Sequence, residues 1–298
     1  MQTPARPLCF PSMTTTPDFV REGLRRCNYI TTPKVEVTIY LALALEKPLL
    51  IEGPAGVGKT EVAKVLAEML GTDLIRLQCY EGLDEAHALY EWNYQKQLLR
   101  LQTDSLRDQS WEEISGHIFS AAYLLERPLL RAIVAPERAV LLIDEVDKAD
   151  EEFEAFLLEV LSDFQVSIPE LGTITARYRP VVVLTSNRTR ELSEALKRRC
   201  LHLYIDFPDM EKEAEILALK VPEADEGLRR QVARFVGGLR RLDLKKAPSI
   251  AETLDWARAL LTLGIKELDP PTVRKTLGLV LKHEEDVRKV EGKVSSLL

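Results

Sequence analysis

Short apolar runs and longer stretches with apolar residues at helical spacing alternate over the first two thirds of the chain. The apolar runs predict buried strands at residues 48–52, 74–79, 139–145, 180–185 and 201–206. Of the helices predicted between them, the most regular is capped by Asp150 and carries an apolar stripe from Phe153 to Phe164. Residues 164–178 alternate around a proline and a glycine and predict a β-hairpin. Alternating strands and helices are typical of an open α/β sheet.

The last third of the chain has a different pattern, because no strand signal follows residue 209. We expect four or five helices there, with breaks at residues 221–222, 237–238, 246–248 and 269–271. Ser249 and Glu252 have the spacing of a capping box. We therefore predict an α/β domain over residues 18–208 and a separate all-helical domain over residues 209–298.

Two further segments stand apart from this pattern. Residues 1–17 are rich in Pro and Thr and lack the apolar stretch of a secretory signal, which predicts a disordered tail. The segment from Tyr80 to Pro136 is too long for a plain crossover and predicts an insertion with two or three helices and a polar break near residues 103–110. Its aromatic-rich helix suits either the core or an oligomer interface, or a ligand site. The aromatic and imidazole side chains in question are His87, Tyr90, Trp92 and Tyr94.

Composition limits the possible functions. The chain has 298 residues, 46% hydrophobic and 29% charged, which suits a globular protein of one large or two modest domains. Its net charge of −7 disfavours a general nucleic-acid or anionic membrane surface. No apolar run approaches the roughly 18 residues that span a bilayer. The four cysteines lie far apart without a C-x-x-C pair, so we expect no zinc site, no disulfide framework and a cytoplasmic location.

The most specific chemical signal follows the first predicted strand. It is the stretch Gly53-Pro54-Ala55-Gly56-Val57-Gly58-Lys59-Thr60, which fits the phosphate-binding P-loop pattern. The bland alternative is a glycine-rich turn, but a strand precedes the loop and a helical pattern follows it, as phosphate binding requires. Backbone N–H groups of the loop would surround the phosphates of ATP, and Lys59 would contact the β- and γ-phosphates. The Thr60 hydroxyl would be a ligand of Mg²⁺.

Two acids end the third predicted strand. Asp144 and Glu145 would lie at the carboxyl edge of the sheet, where open α/β sheets bind ligands. We expect Asp144 to hold Mg²⁺ and Glu145 to orient and polarise an attacking water. Asn187 follows the fourth strand and either forms a turn or holds this water beside Glu145.

Other elements near these motifs have more than one interpretation. The basic pair Arg198-Arg199 is either a solvated turn or an arginine finger that reaches the γ-phosphate of a neighbouring protomer. The helix predicted before the first strand, residues 35–45, either lies near the adenine base or packs in the core.

In order and spacing, these motifs resemble the AAA+ ATPases. They match Walker A, Walker B, sensor 1 (Thr185-Ser186-Asn187) and an arginine-finger box (residues 194–200). The long insertion and the hairpin resemble the MoxR branch, and residues 77–86, 89–92 and 96–99 resemble its CoxD-like subgroup. The resemblance implies a P-loop AAA+ core, with a five-stranded parallel sheet between helices, and a C-terminal helical lid. It also implies ATP and Mg²⁺ as cofactors, and it favours Arg199 over Arg198 as the finger.

The resemblance further implies a homo-oligomeric ring, in the form of a hexamer, that remodels or matures a client enzyme. A partner with a von Willebrand factor A domain and assistance in metal insertion are implied with it. One departure concerns the lid, because Ala251 stands where relatives carry a sensor 2 arginine. We therefore expect slow hydrolysis, or dependence on a partner, unless Arg258 takes the place of that arginine.

Two alternatives to the ATP-hydrolysing chaperone remain. One is a nucleotide-switched assembly scaffold with little hydrolysis, which the missing sensor 2 arginine supports. The other is a nucleic-acid motor, which the acidic net charge disfavours. Residues 80–136 and the hairpin at residues 164–178 are the segments expected to contact a client.

Overall fold

A computed structural model describes residues 16–104 and 118–298. By their contacts these residues form two compact units. The first contains the described residues before Asn28, Thr31–Glu52 and Thr60–Tyr204, and the second contains Asn28–Ile30, Gly53–Lys59 and Ile205–Leu298. Each unit has its own hydrophobic core.

The first unit is an α/β fold. Its helices are α1 Pro17–Arg26, α2 Pro33–Ala44, α3 Lys59–Leu70, α4 Glu85–Ala88, α5 Tyr94–Asp104, α6 Pro128–Ile133, α7 Glu151–Asp163 and α8 Glu194–Arg199. Its strands are β1 Leu49–Glu52, β2 Leu74–Gln78, β3 Tyr90–Trp92, β4 Leu124–Glu126, β5 Val140–Asp144, β6 Gln165–Ile168, β7 Gly172–Thr175, β8 Val181–Ser186 and β9 Leu201–Tyr204. Single 3-10 turns occupy Ala121–Tyr123 and Val146–Lys148.

The centre of this unit is the predicted five-stranded parallel sheet, in the order β2-β5-β8-β1-β9. Its inner strands β1, β5 and β8 are buried along their whole length, which is why each reads as a continuous apolar run. Parallel strands end at the same edge, so the side chains that follow β5, β8 and β1 are brought together there. The predicted hairpin is also present, as the antiparallel pair β6–β7.

The insertion after β2 contains a second antiparallel pair of strands, β3–β4, which the sequence analysis missed. The prediction of an aromatic-rich helix is wrong, because Tyr90 and Trp92 lie in β3. The buried Trp92 ring packs edge-on against Phe119, with 5.5 Å between the ring centroids. This core contact, which is distant in sequence, stabilises a strand of only three residues. Most of the predicted polar break at residues 103–110 lies outside the described residues.

The second unit is helical after residue 205. Its helices are α9 Met210–Lys220, α10 Glu226–Arg240, α11 Ile250–Thr262, α12 Pro270–Val280, α13 Glu284–Glu291 and α14 Val294–Leu297. Six helices thus replace the four or five expected. The capping box at Ser249 and Glu252 is present at the start of α11.

The break predicted at the glycine pair of the helical unit is wrong, because Gly237 and Gly238 both lie inside α10. A Cβ atom on Gly238 would come within 3.0 Å of the Leu297 side chain. The glycine therefore gives α14 room to pack closely against α10. This packing outweighs the low helix propensity of the pair.

Most of the predicted N-terminal tail lies outside the described residues. Of its last two positions, Thr16 is the N-cap of α1 and Pro17 is the first helical residue. The Thr16 hydroxyl accepts a hydrogen bond from the Phe19 N–H, which satisfies one of the free donors of the first turn.

Candidate functional site

The loop between β1 and α3 has the geometry of an anion cradle. Gly56 and Gly58 have φ values of 78° and 90°, in the left-handed region that favours glycine. Such backbone can turn successive N–H groups toward a bound anion. A Cβ on Gly56 would lie 2.2 Å from the Ser249 Cβ, whereas a Cβ on Gly58 would meet nothing within 4 Å. The open space at Gly58 and the start of α3 suit a phosphate group.

The lysine of this loop is folded onto the loop itself. Its Nζ donates hydrogen bonds to the carbonyl oxygens of Gly53, at 2.8 Å, and Pro54, at 2.7 Å. Lys59 is buried, so these carbonyl groups keep its ammonium hydrogen-bonded. A bound phosphate would offer the same ammonium charged oxygen acceptors in their place.

At the carboxyl edge of the sheet, Asp144 is 3% exposed and is held by three side chains. Its Oδ1 accepts hydrogen bonds from the hydroxyls of Thr60, at 3.1 Å, and Thr185, at 2.5 Å. Its Oδ2 accepts one from Arg76, at 2.6 Å. A hydroxyl and a carboxylate so placed are the oxygen ligands that Mg²⁺ prefers, so the donor set fits this ion.

Glu145 follows β5 directly and has left-handed backbone, with φ 57° and ψ 48°. Its carboxylate accepts hydrogen bonds from the side-chain amides of Asn187, at 3.2 Å, and Gln78, at 3.0 Å. The Lys148 ammonium lies 2.6 Å from the same carboxylate. The hydrogen bond and the charge of Glu145 raise the pKa of Lys148. Two amides and one cation thus hold Glu145 beside Asp144.

The loop after β8 is fixed by a second buried acid, Asp147. Its carboxylate accepts hydrogen bonds from the backbone N–H groups of Asn187, at 3.2 Å, and Thr189, at 2.8 Å, and from the Thr189 hydroxyl, at 2.7 Å. Burial alone would raise the pKa of Asp147, but these hydrogen bonds outweigh it and lower the pKa. The same acid therefore sets the backbone from which the Asn187 amide reaches Glu145.

The structure brings Thr60, Asp144, Glu145 and Asn187 together, as the sequence analysis predicted from their motifs. It does not join the two predicted arginines to this group. Arg198 and Arg199 end α8, where Arg199 donates hydrogen bonds to the Ser162 hydroxyl, at 2.9 Å, and the Ala195 carbonyl oxygen, at 3.4 Å.

Four polar residues of this site were not identified from the sequence: Arg76, Gln78, Asp147 and Lys148. In β2, Arg76 and Gln78 alternate with buried residues, and Gln78 pairs in register with Asp144. The signal that could have identified Arg76 and Gln78 is this alternation of polar and buried residues in β2, the strand that pairs with β5. Thr185 belongs to the predicted sensor 1 stretch, but nothing in the sequence indicated the contacts of its hydroxyl, because threonine also suits an apolar strand.

The thiol groups near these elements are not reactive. Burial raises the pKa of Cys79 to about 12, with further contributions from Asp144, Asp147 and Glu145. Burial likewise raises the pKa of Cys200 to about 12. Both are therefore neutral thiols near neutral pH in this state, which makes them weak nucleophiles.

The start of α11 contacts the loop that precedes α3. The Ile250 N–H donates a hydrogen bond to the Gly56 carbonyl oxygen, at 3.1 Å. Ala251, in the expected sensor 2 position, is exposed. Arg258 is paired with Asp255 at 3.2 Å. For Arg258 to take the place of a sensor 2 arginine, this exposed ion pair must therefore separate.

Comparison with known families identifies one match over just over half of the chain. The profile described as "AAA domain (dynein-related subfamily)" matches residues 48–200. An uncharacterized protein of Staphylococcus haemolyticus is 26% identical over 255 residues, which cover 83% of this chain and 88% of the relative. An uncharacterized protein of Staphylococcus epidermidis is 25% identical over 260 residues, with 85% and 90% covered.

Solved structures share the fold. A proline-to-glycine variant of Thermotoga maritima RuvB aligns with a TM-score of 0.51 and 18% identity, over 92% of this chain and 73% of that one. An alanine-to-serine variant aligns with a TM-score of 0.50 and 19% identity, over 85% and 71%. At this identity the likeness establishes the P-loop AAA+ fold and nothing further.

Neither a membrane-spanning helix nor a cluster of metal-binding side chains is present among the described residues. No described helix has both the length and the apolar character needed to cross a membrane. No group of three or more His, Cys, Asp and Glu side chains in residues 16–104 and 118–298 is arranged to hold a metal ion. The Mg²⁺ ligands considered above, a threonine and one aspartate, do not require such a group.

Proposed function

The chain belongs to the dynein-related subfamily of AAA domains, and on that premise we propose that it binds ATP with Mg²⁺ and hydrolyses it. The observation that carries this proposal is the meeting of Thr60, Asp144, Glu145 and Asn187 at one sheet edge. The loop Gly53–Lys59 would hold the phosphates, and Thr60 and Asp144 would hold Mg²⁺. An Mg²⁺ ion held there would supply positive charge against the charge that develops on the phosphate oxygens.

In this mechanism the side chains of the chain have separate tasks. Lys59 exchanges the carbonyl oxygens of Gly53 and Pro54 for phosphate oxygens. Glu145 orients a water molecule and accepts its proton at a carboxylate oxygen. Asn187, whose amide already contacts Glu145, helps to position that water.

Substitution of Glu145 by Gln tests the hydrolysis step. We expect the variant to bind a fluorescent ATP analogue as the wild type does and to hydrolyse ATP at least about 10²-fold more slowly, because a general base is lost. Glu284→Gln, which neutralises an exposed glutamate of α13, is the matched control and should leave both values unchanged. Wild-type hydrolysis by Glu145→Gln would remove Glu145 from this role.

We also propose that the active form is a homo-oligomeric ring, a hexamer by analogy with the AAA+ resemblance, in which Arg199 completes the site of a neighbour. To do so, Arg199 must release Ser162 and Ala195. Specific activity should rise with protein concentration, and Arg199→Ala should lower it about 10³-fold while ATP still binds. Arg198→Ala is the matched control, and the reverse ranking would make Arg198 the finger. Activity that is flat with concentration and indifferent to both would contradict a shared site.

The cellular role we propose is that of a MoxR-type chaperone, closest to the CoxD-like subgroup, which remodels or matures a client enzyme in the cytoplasm. The sequence resemblance supports this role, together with a von Willebrand factor A domain partner and a contribution to metal insertion. Residues 209–298 would act as the lid. The segments at 80–136 and 164–178 would contact the client. Each of them contains one antiparallel pair of strands, β3–β4 and β6–β7 respectively, which is compatible with this role.

Glu145→Gln also separates this role from a nucleotide-switched scaffold. A remodelling ATPase should retain its client on the variant and lose function, whereas a scaffold should keep its function. The exposed Ala251 favours slow hydrolysis under either reading. A fast intrinsic rate that Arg258→Ala leaves unchanged would contradict that expectation.

A further inference from the structure

A single buried hydroxyl connects the two acids of the candidate site. Thr185 is the fifth residue of β8 and is 1% exposed. Its Oγ1 donates a hydrogen bond to Asp144 Oδ1, at 2.5 Å, and accepts one from the Glu145 backbone N–H, at 2.9 Å. The hydroxyl thus donates one hydrogen bond and accepts another, and its two partners are the adjacent residues Asp144 and Glu145.

The contact to Glu145 fixes an unfavourable backbone. Glu145 is not glycine and yet has φ 57° and ψ 48°, a left-handed conformation that L-residues rarely adopt. The N–H that Thr185 binds is the one adjacent to this torsion. Without that acceptor, the peptide N–H would lose its partner, and Glu145 would be free to relax toward ordinary backbone and carry its carboxylate away from Asn187 and Gln78.

The contact to Asp144 fixes the rotation of a carboxylate. Because Oδ1 takes hydrogen bonds from Thr60 and Thr185 while Oδ2 takes one from Arg76, the plane of the carboxylate is determined. Thr60 and Arg76 have other possible partners once a nucleotide and Mg²⁺ arrive. Thr185 lies in a strand that is buried along its whole length, so solvent does not compete for its hydrogen bond to Asp144.

We propose that Thr185 is a positioning residue, which holds Asp144 in the orientation for Mg²⁺ and Glu145 in the conformation for hydrolysis. This inference rests on the proposed ATPase function and assigns it a further residue. Neither partner is a backbone carbonyl of the same strand, where a buried threonine hydroxyl that served only packing would be satisfied.

The test uses Thr185→Val, which keeps the shape of the side chain and removes the hydroxyl, and Thr185→Ser, which restores it. The first measurement is the affinity for a fluorescent ATP analogue with and without Mg²⁺, which requires no hydrolysis. We expect Mg²⁺ to tighten binding to the wild type and to Thr185→Ser. For Thr185→Val this enhancement should fall about tenfold, while affinity without Mg²⁺ stays the same.

Thr276→Val is the matched control for the loss of a buried hydroxyl. In the helical unit, Thr276 accepts a hydrogen bond from Trp256 Nε1, at 2.9 Å. This variant should lower the melting temperature without a change in the Mg²⁺ enhancement. If Thr185→Val behaves like Thr276→Val, losing only thermal stability, or if Ser and Val at 185 are equally impaired, the positioning role is overturned.

Hydrolysis is measured second, and it separates this inference from the proposed function. We expect Thr185→Val to lower kcat about tenfold or more at saturating Mg²⁺ with little change in KM, and Thr185→Ser to recover most of it. A wild type that does not hydrolyse ATP but shows the Mg²⁺ pattern would overturn the proposed hydrolysis and support the role of Thr185 toward Asp144. A wild type that hydrolyses ATP, with Thr185→Val equal to it in both assays, would overturn the role of Thr185 alone.

Discussion

Each of the two units buries a carboxylate against an arginine, and the two pairs differ in how fully they are closed. In the helical unit, the side chains of Glu213 and Arg240 are 1% and 7% exposed and make two hydrogen bonds, at 2.5 and 2.8 Å. Arg240 also donates to the Pro248 carbonyl oxygen and lies 4.4 Å from the centroid of the Phe207 ring. At the sheet edge, the side chain of Arg76 beside Asp144 is 52% exposed.

The difference separates a structural acid from one that is available to a ligand. In the closed pair, both charged side chains are buried, and removal of one of them leaves the other buried without a counter-charge. Asp144 shares its charge with an arginine that can hydrate, and its other contacts are two hydroxyls. A cation can therefore replace Arg76 at Asp144 at low cost, whereas nothing can replace Arg240 at Glu213.

The largest effect should come from breaking the closed pair. Arg240→Met should lower the free energy of unfolding by about 3–5 kcal/mol, because Glu213 is left buried and unpaired. Urea denaturation measures this, with Arg258→Met as the control, since Arg258 forms only an exposed pair. The double variant Arg240→Met with Glu213→Leu should recover most of the loss. A single variant as stable as the wild type would contradict the closed-pair interpretation.

Asp147 is an intermediate case, a buried acid that is held by hydrogen bonds without a cation. Asp147→Asn should lower the free energy of unfolding by about 1.5–3 kcal/mol, because the contacts to Thr189 and the Asn187 backbone weaken. The lowered pKa of Asp147 means that the folded state favours the carboxylate. Its stabilisation is present above the unfolded-state pKa, near 3.8, and is lost as the pH falls through the lower folded-state pKa.

The pH dependence sharpens this prediction. The difference in unfolding free energy between the wild type and Asp147→Asn should be constant from about pH 5 to pH 8 and should shrink below about pH 4. Denaturant titrations at several pH values measure it. A difference that instead grows on acidification would mean that Asp147 is protonated in the folded protein.

A smaller loss of stability is expected at Asp144, although its effect on activity should be severe. Asp144→Asn keeps an acceptor for Thr60 and Thr185, and Arg76 can turn to solvent, so the free energy of unfolding should change by about 1 kcal/mol or less. The Mg²⁺ enhancement of nucleotide binding should nevertheless disappear, because the metal-binding charge is gone. A stability loss as large as that of Arg240→Met would break the comparison between the two acids.

These contrasts follow from contacts of very different visibility in the sequence. The loop 53–60, the two acids at the end of β5 and Asn187 after β8 were predictable, because each lies at the end of an apolar strand and parallel strands end at one edge. The register of β2 beside β5 was not, so Arg76 and Gln78 were missed as partners of the acids. Register depends on packing across the whole sheet, which periodicity within a single strand does not specify.

The same limit explains the errors in secondary structure. The antiparallel pair β3–β4 consists of two three-residue strands separated by more than 30 residues, and the packing of Trp92 against Phe119 stabilises it. Patterns within a window of 11 to 18 residues contain no trace of such a pairing. The glycine pair at 237–238 was misread for a related reason, since a helix propensity is a weak preference that tertiary contacts override.

The smallest predicted effect concerns this pair and has the opposite sign. Gly237→Ala should raise the free energy of unfolding by about 0.5–1 kcal/mol, because a Cβ there meets nothing within 4 Å and alanine is the better helix former. Gly238→Ala should gain less, because its Cβ would press on Leu297 at 3.0 Å and the side chain must shift. Thermal and urea unfolding of the two variants measure the difference. If Gly237→Ala destabilises the protein instead, the glycine serves a conformational change in α10 rather than packing, and the helical unit is less fixed than its closed ion pair implies.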